Sequence, residues 1–162
     1  MTREEGAYLA GIIDGEGCLS VTSNLASGQR FIPYLSIVNT SEELMSRLHE
    51  LIGGGSVQRK KGKKDYYKDC FVLTVRSNKL REILPLVIDF LIVKREQGQL
   101  VLSLLQLINQ HGKGYFWSRN PDRLKQCSLI ASKLHELNKR SKEINKEKNR
   151  NEYWMDYNRF TC

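Results

Sequence analysis

Two carboxylates, Asp14 and Glu16, stand among glycines where an apolar helical run ends, in the segment Leu9-Ala10-Gly11-Ile12-Ile13-Asp14-Gly15-Glu16-Gly17. The C-terminal end of a helix carries partial negative charge, so a carboxylate at Glu16 is electrostatically misplaced unless a cation compensates it. A divalent metal ion held by oxygen donors is such a cation, and it can activate a water and stabilise a leaving oxygen. The competing reading is a solvated carboxylate in a glycine-rich turn, which needs no metal.

The helix that carries this pair has a definite start. Thr2 and Glu5 form a Thr-x-x-Glu capping box, and Leu9, Ile12 and Ile13 recur at helical spacing to give a core-facing side. Another side holds Gly6, Ala7, Ala10, Gly11 and Asp14, so for about two turns little but backbone faces a neighbour. Such a face lets a second helix approach closely. The Gly15-Glu16-Gly17 segment is expected to turn the chain, and residues 18–24 then alternate as a strand does, which sets Glu16 at a helix-to-strand junction.

Composition suits a polyanionic partner. The 162 residues include 26 Lys and Arg against 18 Asp and Glu, a net charge of +8 and a pI near 9.4. The length fits one domain with a proper core, and no Sec-type signal or bilayer-length apolar run is seen, so a soluble intracellular protein is expected. Cys18, Cys70, Cys127 and Cys162 are far apart and form no Cys-x-x-Cys pair, which argues against a zinc site or a disulfide framework.

The elements follow in a readable order. Residues 18–25 and 30–39 read as a hairpin. Thr40 or Ser41 caps a helix with the stripe Leu44, Met45, Leu48, Leu51 and Ile52, which Gly53-Gly54-Gly55 ends. Residues 56–61 and 66–76 read as a second hairpin. Ser77 is expected to cap the next helix, with Pro85 kinking or breaking it. Helices over about 95–109 and 122–141 follow. The fold class is α+β: an αββαββα core with a four-stranded antiparallel sheet, helices on one face, and further C-terminal helices.

Leu9 to Gly17 resembles the signature of the LAGLIDADG homing endonuclease family, at Leu-Ala-Gly, at Ile13-Asp14-Gly15, and at the acidic residue followed by glycine. The resemblance extends over roughly residues 1–140. It implies that the sheet's open face is a saddle lying in the DNA major groove, that signature helices pack in pairs, and that the eighth signature residue, Glu16, binds catalytic metal. The commoner residue there is Asp. A single signature in the chain implies a homodimer, with Ala7, Ala10, Gly11 and Asp14 at the interface. The Gly15 carbonyl and Glu16 would hold Mg²⁺. Phe90-Leu91-Ile92-Val93-Lys94 resembles the family segment whose lysine approaches the active site, and Asn39 falls where the family carries a polar residue that positions a water. Asn39 can equally form only an Asx turn.

Strand parity assigns Leu19, Val21, Phe31, Leu35, Ile37, Phe71, Leu73 and Val75 to the core. The opposite parity is the candidate DNA face: Ser20, Thr22 and Asn24, then Arg30, Tyr34 and Ser36, then Gln58 and Lys60, then Val72, Thr74 and Arg76. The run Arg59-Lys60-Lys61-Gly62-Lys63-Lys64, with Lys139 and Lys142, suits phosphate contacts or merely a solvated surface. The endonuclease domain is expected over 1–142, followed by a basic, aromatic tail over 143–162. The resemblance implies metal-dependent cleavage of a pseudo-palindromic duplex site of about 20 base pairs, two turns of DNA at 3.4 Å per pair. It implies cuts across the minor groove that leave short 3′ overhangs, and an organellar setting. Two rivals share the fold: an RNA-binding intron maturase, and a DNA-binding regulator, for which loss of the Glu16 carboxylate would be expected.

Overall fold

The computed structural model describes residues 1–24, 30–62, 68–109 and 120–139. Helix α1 (Arg3–Glu16) opens with the capping box: the Thr2 hydroxyl accepts from the Glu5 amide at 3.2 Å, and the Glu5 carboxylate accepts from the Thr2 amide at 2.7 Å. The expected turn at residues 15–17 does not form. The helix continues through Glu16, and Gly17 passes directly into strand β1 (Gly17–Asn24) with an extended backbone, φ −84° and ψ 156°. A Cβ on Gly17 would lie 2.7 Å from the Ile13 carbonyl oxygen, so so abrupt a junction excludes any side chain there.

Strand β2 (Arg30–Asn39) pairs antiparallel with β1. Helix α2 (Glu42–Ile52) is capped by the Ser41 hydroxyl, which accepts from the Leu44 amide, and it ends at Gly53 in the left-handed region, φ 69°. Strands β3 (Ser56–Lys60) and β4 (Cys70–Arg76) complete one antiparallel sheet in the order β1-β2-β4-β3. In helix α3 (Ser77–Val87), Ser77 is the first helical residue rather than the cap. Arg76 occupies the cap position without a side-chain bond, because it is still engaged as the last residue of β4. Pro85 does not break α3; it sits one turn from the end, and a 3₁₀ turn (Ile88–Phe90) follows. Only the bond to the carbonyl of Arg81 is forfeited there, since proline has no N–H. Helices α4 (Arg95–Asn109) and α5 (residues 121–139) finish the described chain, α5 being capped by Asn120, whose Oδ1 accepts from the Arg123 amide at 3.1 Å.

All eight residues assigned to the core by strand parity are buried there, joined by Leu9 and Ile13 of α1, Met45 and Leu48 of α2, Leu80 and Leu84 of α3, and Val101 and Leu104 of α4. Helices therefore cover one face of the sheet. Helix α5 covers its β1 edge as well: Asn138 Nδ2 donates to the Leu19 carbonyl and His135 Nε2 to the Val21 carbonyl, both at 3.0 Å. Since a carbonyl only accepts, His135 carries its proton on Nε2 in this contact. Two outward-facing carbonyls of an edge strand are thereby satisfied, and that edge is closed to another strand.

Candidate functional site

Glu16 is exposed at the last position of α1, and among the described residues it has no hydrogen-bond or ion-pair partner. Asp14, two residues back, is in the opposite situation. Its Oδ2 accepts from the Ile92 amide at 2.7 Å and its Oδ1 from the Lys94 amide at 2.9 Å, which ties the segment before α4 to the end of α1. The Lys94 ammonium donates to the Asp14 backbone carbonyl. Lys94 therefore supplies a cation at the negative end of α1, whose own last turn contains no basic residue. The electrostatic need inferred for this helix end is met in part within the chain.

Partial burial by itself would raise the Asp14 carboxyl, but the amides of Ile92, Lys94 and Val93 and the Lys94 ammonium outweigh it and hold the group below the ordinary carboxylate range. A lowered carboxyl contributes stability that is complete above the unfolded-chain pKa, about 3.9, and is lost as the pH falls through the folded value. Asp14→Asn replaces one charged acceptor oxygen by a donor facing an amide. We expect it to cost about 1.5–3 kcal/mol at pH 7, the range for a hydrogen bond to a charged group. Urea unfolding of both proteins at pH 7 and near pH 3 checks this: the difference should shrink at the lower pH.

Asn39 ends β2 at the same end of the sheet as Glu16, since Gly17 pairs with Ile37. Its Oδ1 accepts from the Ser41 amide at 2.9 Å, an Asx turn leading into α2. The Nδ2 of Asn39 makes no bond among the described residues. Glu16, Lys94 and Asn39 thus lie toward one end of the sheet, with Lys94 the one tied directly to α1.

For a metal ion, one chain offers the Glu16 carboxylate and the Gly15 carbonyl. Among the described residues no cluster of three or more His, Cys, Asp or Glu side chains is placed to hold an ion. The exposed hard oxygen of Glu16, without a partner among the described residues, fits a divalent cation.

The small-residue side of α1 divides in two. Gly6 and Ala10 are buried within the chain; a Cβ on Gly6 would lie 3.0 Å from the Leu86 carbonyl oxygen. Ala10 has no exposed surface in the single chain, whereas Asp14 is partly exposed with its carboxylate bonded to the Ile92 and Lys94 amides. α3 and the 91–94 segment already occupy that side. Ala7, Gly11 and Gly15 are exposed, and Cβ atoms on Gly11 or Gly15 would meet nothing within 4 Å. Tyr8, Ile92 and Val93 are 52%, 85% and 68% exposed, an unusual cost for apolar side chains; the Ile92 amide is itself bound to Asp14.

The other sheet face is built in cross-strand rows. Val38, Val72 and Gln58 form one row; Cys18, Ser36, Thr74 and Ser56 the next; then Ser20, Tyr34 and Arg76; then Thr22 with Ile32; and Asn24 with Arg30. The side chains of Asn24 and Arg30 lie outside the described ones. Ser20 and Val72 are only 7% and 9% exposed, so neighbours shield them, whereas Thr22, Gln58, Lys60 and Arg76 are open. Cys18, Ile32, Val38, Ser56 and Cys70 also share this face, a consequence of the period of two that selecting mainly polar residues overlooks.

Within the basic run, Arg59 is engaged inside the chain, although its side chain stays exposed. It faces the helical side and binds Asp69 through Nε at 2.9 Å and through Nη2 at 2.8 Å, while Asp69 also accepts from the Gly62 amide at 3.0 Å. These contacts hold the Asp69 carboxyl below the ordinary range and brace the hairpin. Lys60 and Lys61 are exposed, as is Lys139 at the end of α5; Lys63, Lys64, Lys142 and the tail from 143 onward lie outside the described residues.

Neither a family model nor a curated protein sequence matches the chain. Solved structures do. The homing endonuclease I-CvuI in complex with its target superposes with a TM-score of 0.64 at 21% identity, over 83% of this chain and 82% of that one. The archaeal intron-encoded homing endonuclease I-Vdi141I, complexed with DNA, gives 0.66 at 22% identity over 83% and 84%. The LAGLIDADG homing endonuclease I-LtrWI bound to target DNA gives 0.63 at 18% identity, over 82% of this chain but 44% of that one. With the αββαββα order, the β1-β2-β4-β3 sheet and these superpositions, the chain has the fold of the LAGLIDADG homing endonucleases.

Proposed function

We propose that the protein is a site-specific, double-strand DNA endonuclease that acts as a homodimer. The observation that carries this reading is Glu16: an exposed carboxylate, without a partner among the described residues, at the end of a helix whose Ala7-Gly11-Gly15 line is open, beside a sheet with one face that no described helix covers. A second copy packed along that line would bring two Glu16 carboxylates together at a two-fold axis and would cover Ile92 and Val93.

In this reading the open sheet face binds the major groove, and each copy reads one half of a pseudo-palindromic site. From Glu16 to Asn24 is eight residues, about 26 Å of strand at about 3.3 Å per residue, which matches about eight base pairs of 3.4 Å rise. Two halves and a short centre make a site of about 20 pairs. Glu16 and the Gly15 carbonyl would hold a divalent ion, Mg²⁺ being suited to oxygen donors, which when bound polarises a phosphate oxygen and acidifies a water. Lys94, whose ammonium donates to the Asp14 carbonyl, would supply positive charge near a phosphate held at Glu16, and Asn39 Nδ2, which has no bond among the described residues, would orient a water. Neither residue forms a covalent intermediate. One cut per strand across the minor groove leaves short 3′ overhangs.

The test is incubation with a randomised duplex library and Mg²⁺. Specific double-strand cuts that chelation abolishes support the reading. Tight duplex binding without cuts indicates a regulator, and binding of structured RNA without DNA cleavage indicates a maturase.

A further inference from the structure

Arg76 ends β4 at the point where the backbone turns into α3, with its side chain exposed on the open face. Its backbone is fixed on both sides, by pairing with Tyr34 and by the start of the helix. Among the described residues its guanidinium has no hydrogen bond or ion pair. Arg59, the other arginine of the second hairpin, is bound to Asp69 on the helical side, and the remaining cation described on this face is Lys60. The row containing Arg76 otherwise offers the hydroxyls of Ser20 and Tyr34. β3 adds no paired residue at that level, because its ladder with β4 begins at Ser56 opposite Thr74. An uncrowded, preorganised fork of N–H donors at one position suits the paired acceptors O6 and N7 of guanine, whereas the apolar and hydroxyl rows on either side do not.

We propose that Arg76 specifies a guanine in each half of the target, about four base pairs outward from the phosphate at Glu16. The spacing follows from the register: Ser20, in the row of Arg76, lies four residues beyond Glu16, about 13 Å along the strand, or about four base-pair rises. The inference rests on the endonuclease reading.

The test selects bound duplexes from a library randomised over both halves, using the wild type and Arg76→Gln, with the wild-type cut sites mapped in Mg²⁺. The wild-type sites should carry guanine at one position per half, about four pairs from the cut, favoured about 5- to 150-fold over other bases. In Arg76→Gln that position should lose its guanine or change to adenine, while the other positions keep their preferences. Unchanged guanine in the variant, no guanine at that position in the wild type, or loss of all binding by the variant would overturn the proposal. So would uniform weakening across all sequences with a salt slope reduced by about one, which marks a phosphate contact. A wild type that binds and cuts no duplex fails the endonuclease reading itself, which separates the two.

Discussion

Glu16→Gln should leave duplex binding and fold intact and reduce cleavage by at least about 10³-fold. The argument starts from the placement of Glu16 at the final residue of α1, exposed and without a partner among the described residues. Because no described residue bonds to this carboxylate, its replacement by an isosteric amide removes no intramolecular bond among them. It even relieves a negative charge at the negative end of a helix, worth about 0.3–1 kcal/mol of stability. Catalysis is affected differently. A neutral amide is a poor ligand for a hard divalent ion, and Lewis-acid stabilisation of a phosphoryl transition state is worth several kcal/mol, each 1.36 kcal/mol being about tenfold in rate. In a two-fold assembly both carboxylates change at once. The measurement is single-turnover cleavage of the selected duplex in Mg²⁺, beside a gel-shift titration and thermal unfolding. A variant that cuts at more than a tenth of the wild-type rate would remove Glu16 from the chemistry.

On the proposed homodimer, Gly11→Leu should abolish association while leaving the monomer at least as stable. Gly11 lies in the middle of the open line of α1, and a Cβ there meets nothing within 4 Å, so the isolated chain accommodates a larger side chain. Glycine within a helix costs about 0.8–1 kcal/mol relative to good helix formers, so the monomer gains rather than loses. Across a two-fold axis the same change enters twice. Overpacking costs about 1–3 kcal/mol per site, so association should weaken by about 2–6 kcal/mol, at least about 30-fold. Sedimentation equilibrium reads the association, and the cleavage assay should fail in parallel because each copy supplies only one Glu16. Gly6→Leu is the contrast: its Cβ would press on the Leu86 carbonyl oxygen at 3.0 Å, so that variant should be destabilised as a monomer. If Gly11→Leu remains dimeric and active, the second copy sits elsewhere.

Much of the architecture is legible from residues 1–109 because its signals are local. Caps such as Thr2 with Glu5 and Ser41 act within three residues, and the alternation of Leu19 and Val21, or of Leu73 and Val75, fixes which strand face is buried without reference to distant partners. The local signals misled where a neighbouring element competed. Ser77 has the chemistry of a cap, but the ladder of β4 holds Arg76 in that position. Gly15 and Gly17 suggest a turn, yet Gly17 serves a close approach to Ile13 instead.

The sequence by itself determined the order of elements, the two sheet faces, and the placing of a carboxylate at the end of the first helix, since each depends on periods and caps spanning a few residues. Only the tertiary structure decided how the site's groups are shared out. It spends Asp14 on amides 78 and 80 residues away and brings Lys94 to the end of α1. It commits Gly6 and Ala10 to the interior while leaving Ala7, Gly11 and Gly15 open, and it binds Arg59 to Asp69 but leaves Arg76 without a partner among the described residues. Identical residue types receive opposite assignments in these pairs, because availability is set by which distant segment packs against each, and no local pattern encodes that.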